Sequence, residues 1–506
     1  MFSRLIFLLC LSLFSQLQFA GARRLFTLEM HHRFSDHVKA WSCRIGAGLP
    51  LHRWPEKGSI EYYALLASHD RAIRGRFLSR FGGDLTFSDG NATYRLSSLG
   101  FLHYTTVTLG TPGIKFLVAL DTGSDLFWVP CATEDDSPYA SDFDFRVYDP
   151  HGSATSRIVT CDSDLCMRDD GCNDMSSPCP YHVSYISSDT SSSGILVEDV
   201  LQLKTVDKNP ELIKAFVTFG CGQVQTGSFL DIAAPNGLLG LGLEKVAVPS
   251  ILYRDGYIEN SFSMCFGDDG TGRIFFGDKG SPDQEETPFH MNPFHPTYSV
   301  NVTQVRVGTS VVDSQFTALF DSGTSFTYLV EPTYTMVADS FHLHIQDHRR
   351  PPDPRIPFEY CYTMSPDMNT SLIPVMSLSM DGGGQMVVQD PIIVISTPLE
   401  LIYCLAVVEN QELNIIGQNF MTGYRIVFNR EKLVLGWKKS NCYGDTGDSN
   451  DFEARSVNYA ASAGGLNGTV ESESAKTNRT SACASAFYRG KFDWYAFLLS
   501  VVLAIH

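Results

Sequence analysis

The sequence predicts an all-β protein built from two related lobes, and three observations predict it. From Phe101 onward the chain is a series of short β-branched and aromatic runs broken by Gly, Pro, Ser and Asp, the texture of many short strands. The run Phe116-Leu117-Val118-Ala119-Leu120-Asp121-Thr122-Gly123-Ser124 returns 200 residues later as Phe316-Thr317-Ala318-Leu319-Phe320-Asp321-Ser322-Gly323-Thr324. Gly237-Leu238-Leu239-Gly240 follows the first copy and Asn414-Ile415-Ile416-Gly417 follows the second, in the same order. A recurrence at this separation signals a duplicated domain, not a repeat array.

At 506 residues, with 43% hydrophobic and 19% charged side chains, the chain has the length for two or three folding units and a globular composition. Residues 1–99 carry a net charge of +6 and the remainder −24. An acidic body repels phosphate backbones, which argues against nucleic acid as a partner, and a basic leader can dock on it until acid neutralises its carboxylates.

Residues 1–22 combine Arg4, the apolar run Leu5 to Phe14 and Ala20-Gly21-Ala22, the composition of a cleaved secretory signal. The expectation is export into an oxidising compartment. Of 13 cysteines, Cys10 and Cys43 precede the body, so eleven remain from Cys131 onward and one is odd. Sequons at Asn91, Asn301, Asn369, Asn467 and Asn478 agree with secretion.

Residues 23–98 read as a pro-segment. Within it Tyr62, Leu65, Leu66, Ala72, Ile73 and Phe77 recur at near-helical spacing among Arg71, Arg74 and Arg76, predicting a basic amphipathic helix over Glu61 to Leu78. His31 and His32 are candidates for an acid-sensing element in this leader. In the body, His103 to Leu109 and Lys115 to Leu120 read as two strands joined through Gly110-Thr111-Pro112-Gly113. The lobes are expected at 99–295 and 296–445.

After Cys442 the composition turns to Gly, Ser, Asp, Asn, Glu and Ala, so 446–481 reads as a stalk that cannot bury a core. Ser481-Ala482-Cys483-Ala484, a polar spacer to Asp493 and the apolar tail Trp494 to Ile505 follow. That tail falls short of the ~20 residues a spanning helix needs. Small residues, spacer and short tail in this order form the signal for a glycolipid anchor, with 482–506 removed and Ser481 as the attachment residue. The expected location is the outer face of the plasma membrane.

Two Asp-[Thr/Ser]-Gly-[Ser/Thr] tetrads behind apolar runs would meet by chance in about one chain in a thousand of this length. An apolar strand delivers each carboxylate into a buried turn, Gly permits the turn, and the neighbouring hydroxyls donate hydrogen bonds. If the lobes bring Asp121 and Asp321 within a few ångströms, like charge keeps both from ionising readily and one proton is shared at acid pH. One carboxylate then takes a proton from water while the other protonates the carbonyl of a peptide bond, with no cofactor and no metal.

On these residues the sequence resembles the pepsin-like aspartic proteases over Phe101 to Cys442. The resemblance implies a bilobal fold with the active-site cleft between two related β lobes, an endopeptidase activity on polypeptide substrates and a monomer. It assigns Asp121 and Asp321 as catalytic, with Thr122, Gly123, Ser124, Ser322, Gly323 and Thr324 supporting the water and the turns. Leu238-Leu239-Gly240 and Ile415-Ile416-Gly417 are implied to cross behind the aspartates. Trp128 matches the family tryptophan near the flap, and Tyr185 the flap tyrosine. The hairpin Tyr185 to Leu196 departs from the pattern, with Ile186 where the family has Gly and a longer Ser-rich tip. Cys131, Cys161, Cys166, Cys172 and Cys179 resemble the extra cysteines of plant nepenthesin-like members. The resemblance also implies bridges Cys361–Cys404 and Cys265–Cys442, and leaves the other pairs open.

Rival chemistries lack their patterns. The cysteine cluster has no close Cys-x-x-Cys or His-x-x-x-His spacing for zinc. Glu134-Asp135-Asp136 lacks the alternating ligands of a calcium loop, and Gly267 to Gly277 fails the dinucleotide spacing and reads as a hairpin. No Gly-x-Ser-x-Gly elbow surrounds Ser325 or another serine. The alternative in a different class is a weak or inactive binding protein on the same scaffold, because a fold does not fix a function.

Overall fold

The computed structural model describes residues 24–44, 54–78 and 102–442, the last span with gaps at 133–146, 167–171, 173, 186–189, 207–208, 227–228, 230–233, 235, 268–269, 292–295 and 365–372. The signal, stalk and anchor expectations, with Asn91, Asn369, Asn467, Asn478 and Ser481, lie outside the described residues.

Strands His103–Leu109 and Ile114–Asp121 form an antiparallel pair with Thr105 opposite Val118 and Leu109 opposite Ile114. Gly110 turns between them at a φ of 78°, a left-handed angle that a side chain would resist. Phe116, Val118 and Leu120 enter the main core, while Leu117 and Ala119 enter a second one. Burial of both faces explains why this strand is a continuous apolar run and not an alternating one. A long hairpin, Thr190–Thr205 with Leu212–Gln225, completes the first lobe.

In the second lobe Ser299–Val307 pairs antiparallel with Phe316–Phe320 and with Met376–Met380. A three-stranded sheet of Cys361–Thr363, Leu401–Leu405 and Ile392–Ser396 flanks them.

The two lobes share a fourteen-stranded sheet. Strands Tyr424–Asn429 and Val434–Lys439, from the end of the second lobe, run back to pair with Ser261–Phe266 and Glu285–Pro288. Cys265–Cys442 staples this return. Thr271–Phe276 pairs with Ser261–Phe266 as the expected glycine-rich hairpin.

The leader is built into the same sheet. Phe26–His32 pairs antiparallel with Thr271–Phe276 from Phe26 opposite Phe276 to His31 opposite Thr271, and its far end meets His103 and Tyr104. Its alternation of Phe26, Leu28 and Met30 is the period-two signal that places it there, with Phe26 and Met30 fully buried in the main core. Helix Asp36–Arg44 follows, and helix Ile60–Leu78 lies where a helix was expected, the side chains beyond Asp70 lying outside the described residues. Leu66 and Ala67 of that helix pack with Phe326, Tyr328 and Phe358 of the second lobe.

Candidate active site

Asp121 ends strand Ile114–Asp121, and Asp321 follows strand Phe316–Phe320. Behind each runs a short parallel strand: Leu120 and Asp121 lie opposite Leu239 and Gly240, and Leu319 and Phe320 opposite Ile415 and Ile416. The implied crossing of the two apolar-apolar-Gly turns is therefore present in both lobes. A Cβ on Gly240 would fall 2.3 Å from the Asp125 carbonyl carbon, and one on Gly417 2.1 Å from the Phe326 carbonyl oxygen. Only glycine lets these chains pass so closely behind the aspartates.

Both carboxyls are buried, Asp121 at 6% and Asp321 at 3% exposure. The amide of Gly123 donates to Asp121 Oδ1 at 2.9 Å, and the amide of Gly323 to Asp321 Oδ1 at 2.8 Å. The turns meet across the lobe junction, where Thr122 Oγ1 lies 3.4 Å from Ser322 Oγ. The tetrads differ at their last hydroxyl. Thr324 Oγ1 donates to Asp321 Oδ2 at 2.5 Å, whereas Ser124 Oγ is buried with no protein partner among the described residues.

Two related turns therefore meet at the lobe junction, each with a buried carboxyl oriented by a backbone amide. With no metal and no nucleophilic side chain required, a pair of this kind can activate water against an electrophilic carbonyl.

Trp128 is fully buried, its indole edge-on to Phe229 at 4.8 Å between ring centres, so it forms a wall of the core below the hairpin strands. Tyr185 ends strand Pro180–Tyr185 opposite Thr190, at the expected hairpin, whose tip at 186–189 lies outside the described residues. Asn301 is half-buried, its amide nitrogen donating to Asp381 and its oxygen accepting from Thr317, both at 2.8 Å.

Both bridges that the resemblance implied are present, Cys361–Cys404 and Cys265–Cys442. The cluster left open resolves as Cys161–Cys172 and Cys166–Cys179, and Cys131 pairs with Cys221, 90 residues away.

Residues of the leader reach the same site. His69 Nε2 donates to the carbonyl of Gly323 at 3.0 Å. The fully buried Asp70 accepts from the amides of Ser325 and Phe326 and from the Tyr328 hydroxyl. Burial pushes the Asp70 carboxyl up to about 6, against the pull of these donors. Beside the turn, His103 hydrogen-bonds the backbone of Ser322, and burial holds its imidazole down at about 4. His32 packs 5.6 Å from His103, and burial, with His103, Arg33 and Lys57 adding to it, lowers its pKa well below the usual value. Sequence reasoning missed His69, Asp70, His103 and Tyr328 as neighbours of the aspartates, because their contacts span more than two hundred residues.

Comparison with known proteins agrees with this geometry. Residues 103–278 match the family model described as xylanase inhibitor N-terminal, and residues 297–439 the one described as xylanase inhibitor C-terminal. The chain is 52% identical to Aspartyl protease family protein 1 of Arabidopsis thaliana over 429 residues, covering 83% of this chain and 82% of that one. The chain belongs to the pepsin-like aspartic protease family. A second family relative, Aspartic proteinase-like protein 1 of Arabidopsis thaliana, is 38% identical over 465 residues, 88% of this chain and 86% of its own. The aspartic protease fold is also that of conglutin gamma, a basic 7S globulin from lupine seeds, at a TM-score of 0.54 and 19% identity, over 68% of this chain and 92% of that one.

Proposed function

We propose that this member of the family is an active aspartic endopeptidase that hydrolyses peptide bonds at acid pH. The observation that carries the reading is the paired aspartate turns, both intact, both amide-oriented and joined through Thr122 and Ser322. One carboxylate takes a proton from a held water, which attacks the peptide carbonyl while the other carboxyl protonates the carbonyl oxygen. Proton return to the leaving nitrogen completes cleavage.

In this reading residues 23–98 act as a pro-segment that covers the cleft and departs on acidification. Its support is the pair of contacts from His69 and Asp70 to residues beside Asp321. The paired cysteines between Cys161 and Cys179 favour the nepenthesin-like branch. The signal and anchor compositions favour a glycolipid-anchored protein on the outer face of the plasma membrane, which phospholipase release from cell surfaces tests.

The deciding experiment is peptide cleavage by the acid-treated protein across about pH 3 to 7, beside Asp321→Asn and a pepstatin-type transition-state inhibitor. Acid-side activity abolished by both supports the enzyme. No cleavage by folded, processed protein at any pH moves the reading to a binding protein, the use suggested by family models named for xylanase inhibitors.

A further inference from the structure

The carboxylate of Asp70 sits in a site made of hydrogen-bond donors. Its Oδ1 accepts from the Ser325 amide at 2.8 Å, and its Oδ2 from the Phe326 amide at 3.0 Å and the Tyr328 hydroxyl at 2.9 Å. Two of these donors are backbone. The third projects from strand Thr327–Val330, which is clamped between Val407–Asn410 and Asn414–Ile416. All three belong to the second lobe and none to the leader helix, so they stay behind when the helix goes. The site begins four residues after Asp321, and the neighbouring His69 already bonds the Gly323 carbonyl within the catalytic turn. The site therefore adjoins the catalytic turn, and consecutive leader residues contact both.

The chemistry of the site selects its ligand. A carboxylate only accepts hydrogen bonds and offers two oxygens, so it satisfies all three donors. An amide of the same shape turns an N–H against one of them, and an aliphatic side chain leaves all three unpaired.

We propose that the site vacated by Asp70 is a substrate subsite for an acidic side chain, so that the activated protein prefers polypeptides carrying Asp or Glu at one fixed position relative to the scissile bond. The proposal rests on the endopeptidase reading and on departure of the leader. The leader helix then holds its place by presenting the group the subsite is built to take.

The test uses the acid-activated full chain and end-blocked peptides that differ at one position only. Asp, Glu, Asn or Gln is stepped along both sides of the cleaved bond at about pH 6.5 to 7, above the value of about 6 to which this site raises the Asp70 carboxyl, so that a bound acid is largely ionised. At one position the acid should exceed its amide in kcat/KM by about tenfold or more, the scale of hydrogen bonds to a charged group. Tyr328→Phe should shrink that acid-to-amide ratio at the same position. Equal rates for acid and amide at every position, with neutral peptides cleaved, overturn the subsite and leave the endopeptidase intact. If no peptide is cleaved the endopeptidase reading fails first, and fluorescence anisotropy of the same labelled peptides decides the subsite: tighter binding of the acidic peptide supports it, and equal Kd values overturn it.

Discussion

Thr122 Oγ1 and Ser322 Oγ lie 3.4 Å apart across the lobe junction, 200 residues apart in the chain. Each hydroxyl stands one residue past its aspartate, so this contact ties together the two turns whose amides orient the carboxyls. Breaking it should loosen the site without touching either carboxyl. Thr122→Val and Ser322→Ala are each expected to lower kcat more than they raise KM, and to cost about 1 kcal/mol of stability as one hydrogen bond is lost. A double-mutant cycle on kcat checks it: the paired variant should lose less than the product of the single losses.

Gly417→Ala places a methyl group 2.1 Å from a backbone oxygen of Phe326, which cannot swing away as a side chain could. The expected cost is about 1–3 kcal/mol or more. Because the displaced strand backs Asp321, activity should fall together with Tm. A thermal melt beside kcat/KM tests the coupling, and an unchanged Tm would contradict the close approach.

Removal of the Cys265–Cys442 bridge should destabilise the shared sheet more than its local contacts suggest. The bridge closes a separation of 177 residues, and disulfides closing long loops typically contribute about 2–4 kcal/mol. Cys265→Ser with Cys442→Ser is expected to lower Tm by several degrees. Denaturant unfolding of both proteins measures the difference.

Three histidines should weaken docking of the leader as pH falls. Burial lowers His31, with His37 adding and Glu29 opposing. It lowers His32, faced by His103, Arg33 and Lys57, and holds His103, faced by the Ser322 backbone and His31, at about 4. A pKa depressed on docking means the docked state binds fewer protons. The stability these groups contribute is therefore present above about 6.5 and is lost as pH falls toward 4. Asp70 opposes them, since its raised pKa, about 6, makes docking gain as pH falls from there toward the ordinary carboxylate range. The contribution of the imidazoles therefore favours release in acid, against that of Asp70. Replacing His31 and His32 together by Gln should lower the pH of release, read as recovered activity or as a change in tryptophan fluorescence. An unchanged midpoint would remove the histidines from the mechanism.

The strand pair before Asp121, the helix ending at Leu78 and the matching turns at Gly240 and Gly417 were all legible in the sequence. Each is written in local spacing or in a duplicated run, and a buried strand, an amphipathic helix and a repeated tetrad keep their signatures wherever they pack. The signal in Phe26, Leu28 and Met30 was equally local, yet it says only that a strand exists and not which edge accepts it.

By itself, then, the sequence determined the all-β class, the duplication and the two matching aspartate turns. Tertiary structure alone decided that Tyr424–Lys439 returns to the first lobe's sheet, that Cys131 seeks Cys221, and that Asp70 settles against Ser325 and Tyr328. The physical reason is separation along the chain. Backbone periodicity is set by neighbours a few residues away, whereas these pairings join groups 90 to more than 250 residues apart, whose meeting depends on the whole packed core and leaves no mark on the local pattern.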